Sequence, residues 1–304
     1  MREQAFIAAQ KAALAGYGVK AEQRFVEVPI VGGRAQVLVA GSGPPVVLLN
    51  GIGTPAAMFA PLMARLEGVT LYAVDLPGFG LTDTRAGLAD DLRAMAVAFL
   101  RQVLDGLELN QPVILANSLG SLWAMWLALE QPSRTGPMVH VGCPAIVLDT
   151  TAPLPMRLLS TPLLGRLMMW LQPPSKAQVG QLSRMVREHP LPPEIADLLL
   201  ATEHLPGCAE TLLAMLNALI TLRGARADMA LTGDQLAQIR TPTLLVFARD
   251  DPMGAENAGR RVAEAMPNAE LVIVDGGHAP WIHHADQIAP PVNRFLGRKF
   301  LQAS

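Results

Sequence analysis

The stretch Pro112-Val113-Ile114-Leu115-Ala116-Asn117-Ser118-Leu119-Gly120 constrains this chain more than any other. A short apolar run ends in a turn of small residues that carries a serine, and residues 122–129 beyond it form an apolar segment that reads as a buried helix. The layout is strand, sharp turn and helix, the G-x-S-x-G turn that lifts a serine oxygen clear of a sheet beside free backbone N–H groups. Here it reads A-N-S-L-G, with Ala116 in the first glycine position, the smallest departure that close strand–helix packing can meet. Taken alone, the pattern also fits a serine that merely caps a helix. The rest of the chain must therefore supply the partners.

A length of 304 residues suits one large α/β domain, or a core that carries an insertion. Mean hydropathy is high at +0.30, and residues 109–129 contain no charge and resemble a membrane span. Asn117, Ser118, Gly120 and Ser121 interrupt that stretch, so a buried strand and helix explain it better and no integral membrane span is expected. The net charge of −2 comes without a basic run, which argues against a nucleic-acid partner. Cys143 and Cys208 lie far apart in neither a CxxC nor a metal-ligand spacing, so free thiols and a cytoplasmic location are expected. At the start, Gln10 and Lys11 break the apolar run before a signal-peptide core can form. Residues 1–23 read as an N-terminal helical extension, with peripheral membrane or lid contact as the alternative.

Runs at 24–30 and 34–40, joined by Gly32-Gly33, predict a hairpin. Residues 45–50 are continuously apolar, as a strand covered on both faces should be. Thr54-Pro55 then suits the cap and first position of a helix over 56–66. Further strands are predicted at 69–74, 112–116, 137–142, 242–248 and 269–274, with helices near 88–104, 256–266 and 285–296. The pattern gives a mostly parallel eight-stranded sheet flanked by helices and begun by an antiparallel hairpin. Residues 149–232 are rich in Pro, Leu and Met and show helix starts at Thr161-Pro162, Ser175 and Pro193-Glu194. They read as a helical cap insertion that divides the core into residues 24–148 and 233–304 and lies over the carboxyl edge of the sheet.

A serine hydroxyl needs a base to take its proton and a third group to orient that base. Serine, acid and histidine should follow in that order on such a sheet. After the strand at 242–248 come Asp250 and Asp251, and after the strand at 269–274 come Gly276-Gly277-His278. His278 is the natural base; His140, His189, His204, His283 and His284 read as solvated or structural. Asp250 and Asp251 compete for the acid position.

With these residues in place the chain resembles the α/β-hydrolase fold family, in its serine-dependent, helical-capped branch, from residue 24 to residue 296. The family's G-x-x-D pattern, met by Ala248-Arg249-Asp250-Asp251, implies Asp251 as the acid. Asp149 marks the position that some members use instead. Asn50-Gly51-Ile52-Gly53 stands where the family usually carries His-Gly-x-Gly, which implies oxyanion-hole donors at the Ile52 and Leu119 N–H groups. Asp75 to Thr82 is similar to the family's structural D-x-x-G-x-G-x-S turn, and Gly277-His278-Ala279-Pro280 to its histidine loop. Asn50 and Ala116 are departures from the pattern. Serine at 118 argues against the branches with an aspartate nucleophile, the dehalogenases and epoxide hydrolases.

The resemblance implies a serine hydrolase that cleaves a small to medium apolar carboxylic ester through an acyl-enzyme, with no cofactor and no metal. The alternative is a carbon–carbon bond hydrolase of the meta-cleavage-product type, whose elbow often reads as Asn117 to Gly120 do. Its carboxylate substrate would want a cation such as Arg157, Arg166 or Arg184. Acyl transfer uses the same residues, and a non-catalytic ligand-binding protein on the fold is the reading from another class. The acyl and leaving groups and the oligomeric state are not encoded in any motif.

Overall fold

A computed structural model of the chain describes residues 1–303. Eight strands form one sheet: β1 (Ala21–Val28), β2 (Gly33–Gly41), β3 (Pro45–Leu49), β4 (Thr70–Val74), β5 (Val113–Ala116), β6 (Met138–Val141), β7 (Thr243–Ala248) and β8 (Ala269–Val274). Their spatial order is β1-β2-β4-β3-β5-β6-β7-β8. β1 pairs antiparallel with β2, and β2 with β4, while every pair from β4 to β8 is parallel. This is the α/β-hydrolase arrangement expected from the sequence. The central strands β5, β6 and β7 are buried at every position, which is why they read as unbroken apolar runs. β1, at the edge of the sheet, buries only Val26 and Val28 fully.

Helices cover both faces. α1 (Arg2–Gly16) buries Phe6, Gln10, Ala13 and Leu14. α2 (Leu92–Gly106) begins where Asp91 accepts the Ala94 N–H at 3.2 Å. That cap explains why the helix starts four residues later than the apolar spacing alone suggests. α3 (Ser118–Glu130) is buried from Ser118 through Ala128, with Trp123 set edge-on to Phe99 at 5.9 Å.

Several boundaries differ from the sequence expectation. β1 stops at Val28 because Pro29, which has no N–H to pair, opens a short 3-10 turn. The connection to β2 is therefore longer than a two-glycine hairpin. The helix expected over 56–66 is instead a 3-10 turn (Ala56–Phe59) followed by four helical residues. Thr54 does not cap it, because its hydroxyl donates to the Gly51 carbonyl at 2.8 Å.

Between β6 and β7 lie five longer helices, α4 (Leu154–Leu159), α5 (Pro162–Leu171), α6 (Lys176–Met185), α7 (Pro193–Glu203) and α8 (Cys208–Leu219), and a single helical turn, Gly233–Leu236. Ser175 caps α6 by accepting the Gln178 N–H at 3.2 Å. A two-residue ribbon, Ile220–Thr221 with Gly224–Ala225, follows α8. α9 (Glu256–Ala265) and α10 (Trp281–Ala303) complete the chain. Among the described residues no helix is long and apolar enough to cross a membrane.

Candidate active site

Because β3 to β8 run parallel, the loops that leave β3, β5, β6, β7 and β8 all open on one edge of the sheet. Two of them hold left-handed non-glycine residues: Ile146 and Leu148 after β6, and Ser118 in the β5–α3 turn. Ser118 has φ of +50°, a left-handed backbone that costs an ordinary residue roughly 1–3 kcal/mol. The close approach of β3 enforces it: a Cβ at Gly120 would lie 2.4 Å from the Leu49 carbonyl oxygen. The Gly120 N–H donates to the Asn50 carbonyl at 3.1 Å and the Asn117 N–H to that of Leu49 at 2.9 Å, which pins the turn to the end of β3.

His278 and Asp251 arrive from the loops after β8 and β7. The His278 Nδ1 lies 2.9 Å from Asp251 Oδ2 and 3.0 Å from Oδ1, and both side chains are buried. Asp251 also accepts the Cys143 N–H at 2.8 Å and the Met253 N–H at 2.8 Å, so its carboxylate is fixed on three sides. Burial, and after it the Asp251 charge, pushes the Cys143 thiol well up, leaving a neutral group beside the carboxylate. Asp250 points away and pairs with Arg187 at 3.5 Å, while Asp149 is an exposed partner of Arg261. Neither meets a histidine.

Ser118 and His278 line one cavity of about 170 Å³ together with Asn50, Gly51, Ile52 and Asn117. Among the described residues the Ile52 N–H finds no acceptor. The Leu119 N–H, in the first turn of α3, has no intrahelical partner. Asn50 holds this turn by accepting the Gly51 N–H at 3.0 Å and donating to the Pro55 carbonyl at 2.7 Å. The amide that replaces the family's histidine therefore fixes the backbone on which Ile52 sits. The cavity wall is apolar, with Met58, Leu182, Met185, Leu212 and Met253 among its side chains. No arginine or lysine lines it: Arg157 donates to the Leu222 carbonyl, Arg184 to the His189 ring, and Arg166 is exposed.

Two residues that motif reasoning missed organise the site. Asn117, inside the turn, donates from Nδ2 to the Val141 carbonyl at 2.7 Å and to the His278 carbonyl at 3.0 Å, tying the elbow to the histidine loop. Its signals in the sequence were its place in the turn and the likeness of Asn117 to Gly120 to a carbon–carbon hydrolase elbow, neither of which gave it this role. Glu188, between α6 and α7, accepts the Gly277 N–H at 2.8 Å and the Ala279 N–H at 3.2 Å on one oxygen. The His278 N–H itself donates to the Val186 carbonyl at 2.9 Å. Burial raises the Glu188 carboxyl to about 7 against these two N–H donors, which pull it down, as does the nearby His278. No sequence signal marked Glu188, whose partners are 89 and 91 residues away.

Asp75 behaves as the structural turn residue expected. It is fully buried, accepts from Ala56 N at 2.6 Å, Leu81 N at 3.0 Å and Gln36 Nε2 at 2.7 Å, and is raised by burial to about 7. His140 is buried within β6, and burial lowers it to about 3. Among the described residues no group of three histidine, cysteine, aspartate or glutamate side chains is placed to hold a metal ion.

Comparison with known proteins gives the class. The pattern of the Alpha/beta hydrolase family matches residues 46–290, and the chain belongs to that family. The chain is 30% identical over 275 residues to a pimeloyl-[acyl-carrier protein] methyl ester esterase of Xanthomonas campestris pv. campestris, covering 85% of this chain and 97% of the relative. It is 28% identical over 271 residues to a 2-hydroxy-6-oxononadienedioate/2-hydroxy-6-oxononatrienedioate hydrolase of Cupriavidus pinatubonensis, covering 83% of this chain and 86% of the relative. Among solved structures it resembles the carboxylesterase CesB from Bacillus subtilis, with a TM-score of 0.77, 20% identity, and coverage of 97% and 98%. Hydrolysis is the activity shared by these relatives.

Proposed function

We propose that the protein is a serine-dependent hydrolase of an apolar carboxylic ester. The observation that carries this reading is a Ser118–His278 cavity walled by methionine and leucine and free of any cation. Ser118 attacks the ester carbonyl while His278 takes its proton at Nε2; Asp251, on Nδ1, holds the tautomer and stabilises the imidazolium that forms. The N–H groups of Ile52 and Leu119 receive the developing oxyanion, an interaction whose loss costs on the order of 3 kcal/mol per donor. His278 then protonates the leaving alcohol, and water, deprotonated by the same histidine, releases the acid from the acyl-enzyme. The helices between β6 and β7 serve as a cap that excludes bulk water and selects apolar chains.

Carbon–carbon cleavage uses the same serine and histidine, and one relative's name carries that chemistry. A dicarboxylate buried in this cavity would have no cation to meet, only Glu188 and Glu203. A chain-length series of p-nitrophenyl esters, run beside a dienoate ring-fission product, tests the choice. Turnover of medium-chain esters and silence on the dienoate are expected, with Ser118→Ala lowering ester kcat by at least about 10⁴-fold. Turnover of the dienoate alone would transfer the assignment to carbon–carbon cleavage.

A further inference from the structure

The outer face of α5 is unlike the rest of the surface. Leu163 is 84% exposed, Trp170 76%, Leu171 62% and Leu167 49%, all within one ten-residue helix whose only charged side chain is Arg166. Leu154 of α4 and Leu222 of the ribbon add 54% and 49% exposure nearby. Arg157, which donates to the Leu222 carbonyl, together with Arg166 and Arg223, has no carboxylate partner among the described residues. Residues 150–187 hold five arginines and lysines and no aspartate or glutamate, in a chain of net charge −2.

The inner face of the same helix leads to the catalytic centre. Met168 and Met169 line a second cavity of about 160 Å³. Its other walls include Leu159, Leu182 and Met185, which are also walls of the Ser118 cavity. These three apolar side chains are therefore all that stands between the cavity beneath α5 and the serine's cavity.

We propose that this face docks on an anionic lipid surface, from which an apolar ester passes beneath α5 to Ser118. Side chains exposed by 76–84% stand out from the protein instead of lining a groove. Between them the helix offers no polar group other than Arg166 with which to recognise a partner's backbone. A fluid hydrocarbon phase needs neither shape complementarity nor hydrogen bonds. It accepts leucine at the acyl boundary and tryptophan at the headgroup level, while flanking cations are drawn to anionic headgroups. Delivery to Ser118 rests on the ester-hydrolase reading; docking does not.

The test separates the two. Flotation with vesicles of phosphatidylcholine, with and without phosphatidylglycerol, is measured on the Ser118→Ala protein so that turnover plays no part. Binding to the anionic vesicles is expected, with L163S/L167S/W170S bound roughly tenfold or more weakly. In the serine-intact background, that triple variant should hydrolyse a soluble short ester as the wild type does, yet lose activity on an ester dispersed in anionic vesicles. Failure of the wild type to float with anionic vesicles overturns docking and leaves ester hydrolysis standing. Equal binding to neutral vesicles overturns the role of the cations. Dimerisation of the wild type without vesicles, abolished in the triple variant, assigns the face to a second copy of the chain and overturns the proposal. Vesicle binding without turnover of any ester leaves docking standing and removes the hydrolase reading.

Discussion

Ser118 sits at φ +50° because three contacts converge on it: the Gly120–β3 approach, the Asn117 backbone bond to Leu49, and the Asn117 side chain reaching Val141 and His278. Asn117→Ala would leave the Val141 and His278 carbonyls without that donor. A stability loss of about 1–3 kcal/mol and a fall in kcat larger than any change in KM are expected in chemical denaturation and steady-state kinetics, because the histidine loop loses its tie to the elbow. Glu188 acts on the same loop from the other side, facing His278, Asp251 and the His283 Nε2, 4.0 Å from its second oxygen. Glu188→Gln keeps an acceptor for the Gly277 and Ala279 N–H groups and should leave kcat within about threefold of wild type, whereas Glu188→Ala, which frees both N–H groups, should lower it by about tenfold or more. Equal losses in the two variants would contradict a bracing role for the carboxyl.

At the level of elements, β5 and α3 were legible because burial on all sides leaves no polar residue to break the run outside the turn. The helix starts at 161, 175 and 193 were legible from local signals alone: Ser175 caps α6, and Pro162 and Pro193 take the first helical positions of α5 and α7. The short turn at 56–63 was not. Its backbone is held by Asp75, which accepts the Ala56 N–H from 19 residues away, and no local propensity records that. The position of Ser118 and the loops of Asp251 and His278 could be read from the chain. The grip of residues 186–188 on the histidine loop could not, since it joins the segment after α6 to residues about 90 positions further along the chain. α1 poses the same problem: its Gln10 accepts from Gln36, which also donates to Asp75, and the helix packs on α7. Removing residues 1–18 should therefore lower the thermal midpoint and weaken activity together; a truncated chain with unchanged Tm and kcat would make α1 an independent appendage.

Across the whole molecule, buried ionisable groups set opposed pH dependences. Asp75 and Glu188, both raised to about 7, keep protons in the folded state that the unfolded chain releases at lower pH. Their contribution is complete below about pH 4 and is lost as pH rises through about 7. His140, lowered to about 3, works the other way: its contribution is present above about pH 6.5 and is lost as acid forces a proton onto the buried ring. Urea unfolding should show Glu188→Gln gaining stability relative to wild type between about pH 5 and about pH 8, by on the order of 3 kcal/mol at most. A constant difference across that range would mean that the carboxyl is ionised throughout. The central claim, that Ser118, His278 and Asp251 act as one nucleophilic unit, is tested most directly by fluorophosphonate labelling followed by peptide mass analysis. One adduct per chain on the peptide containing Ser118 is expected, absent in Ser118→Ala and strongly slowed in His278→Ala. Folded wild-type protein that takes up no label, or that is labelled on Ser118 at the same rate without His278, would contradict it.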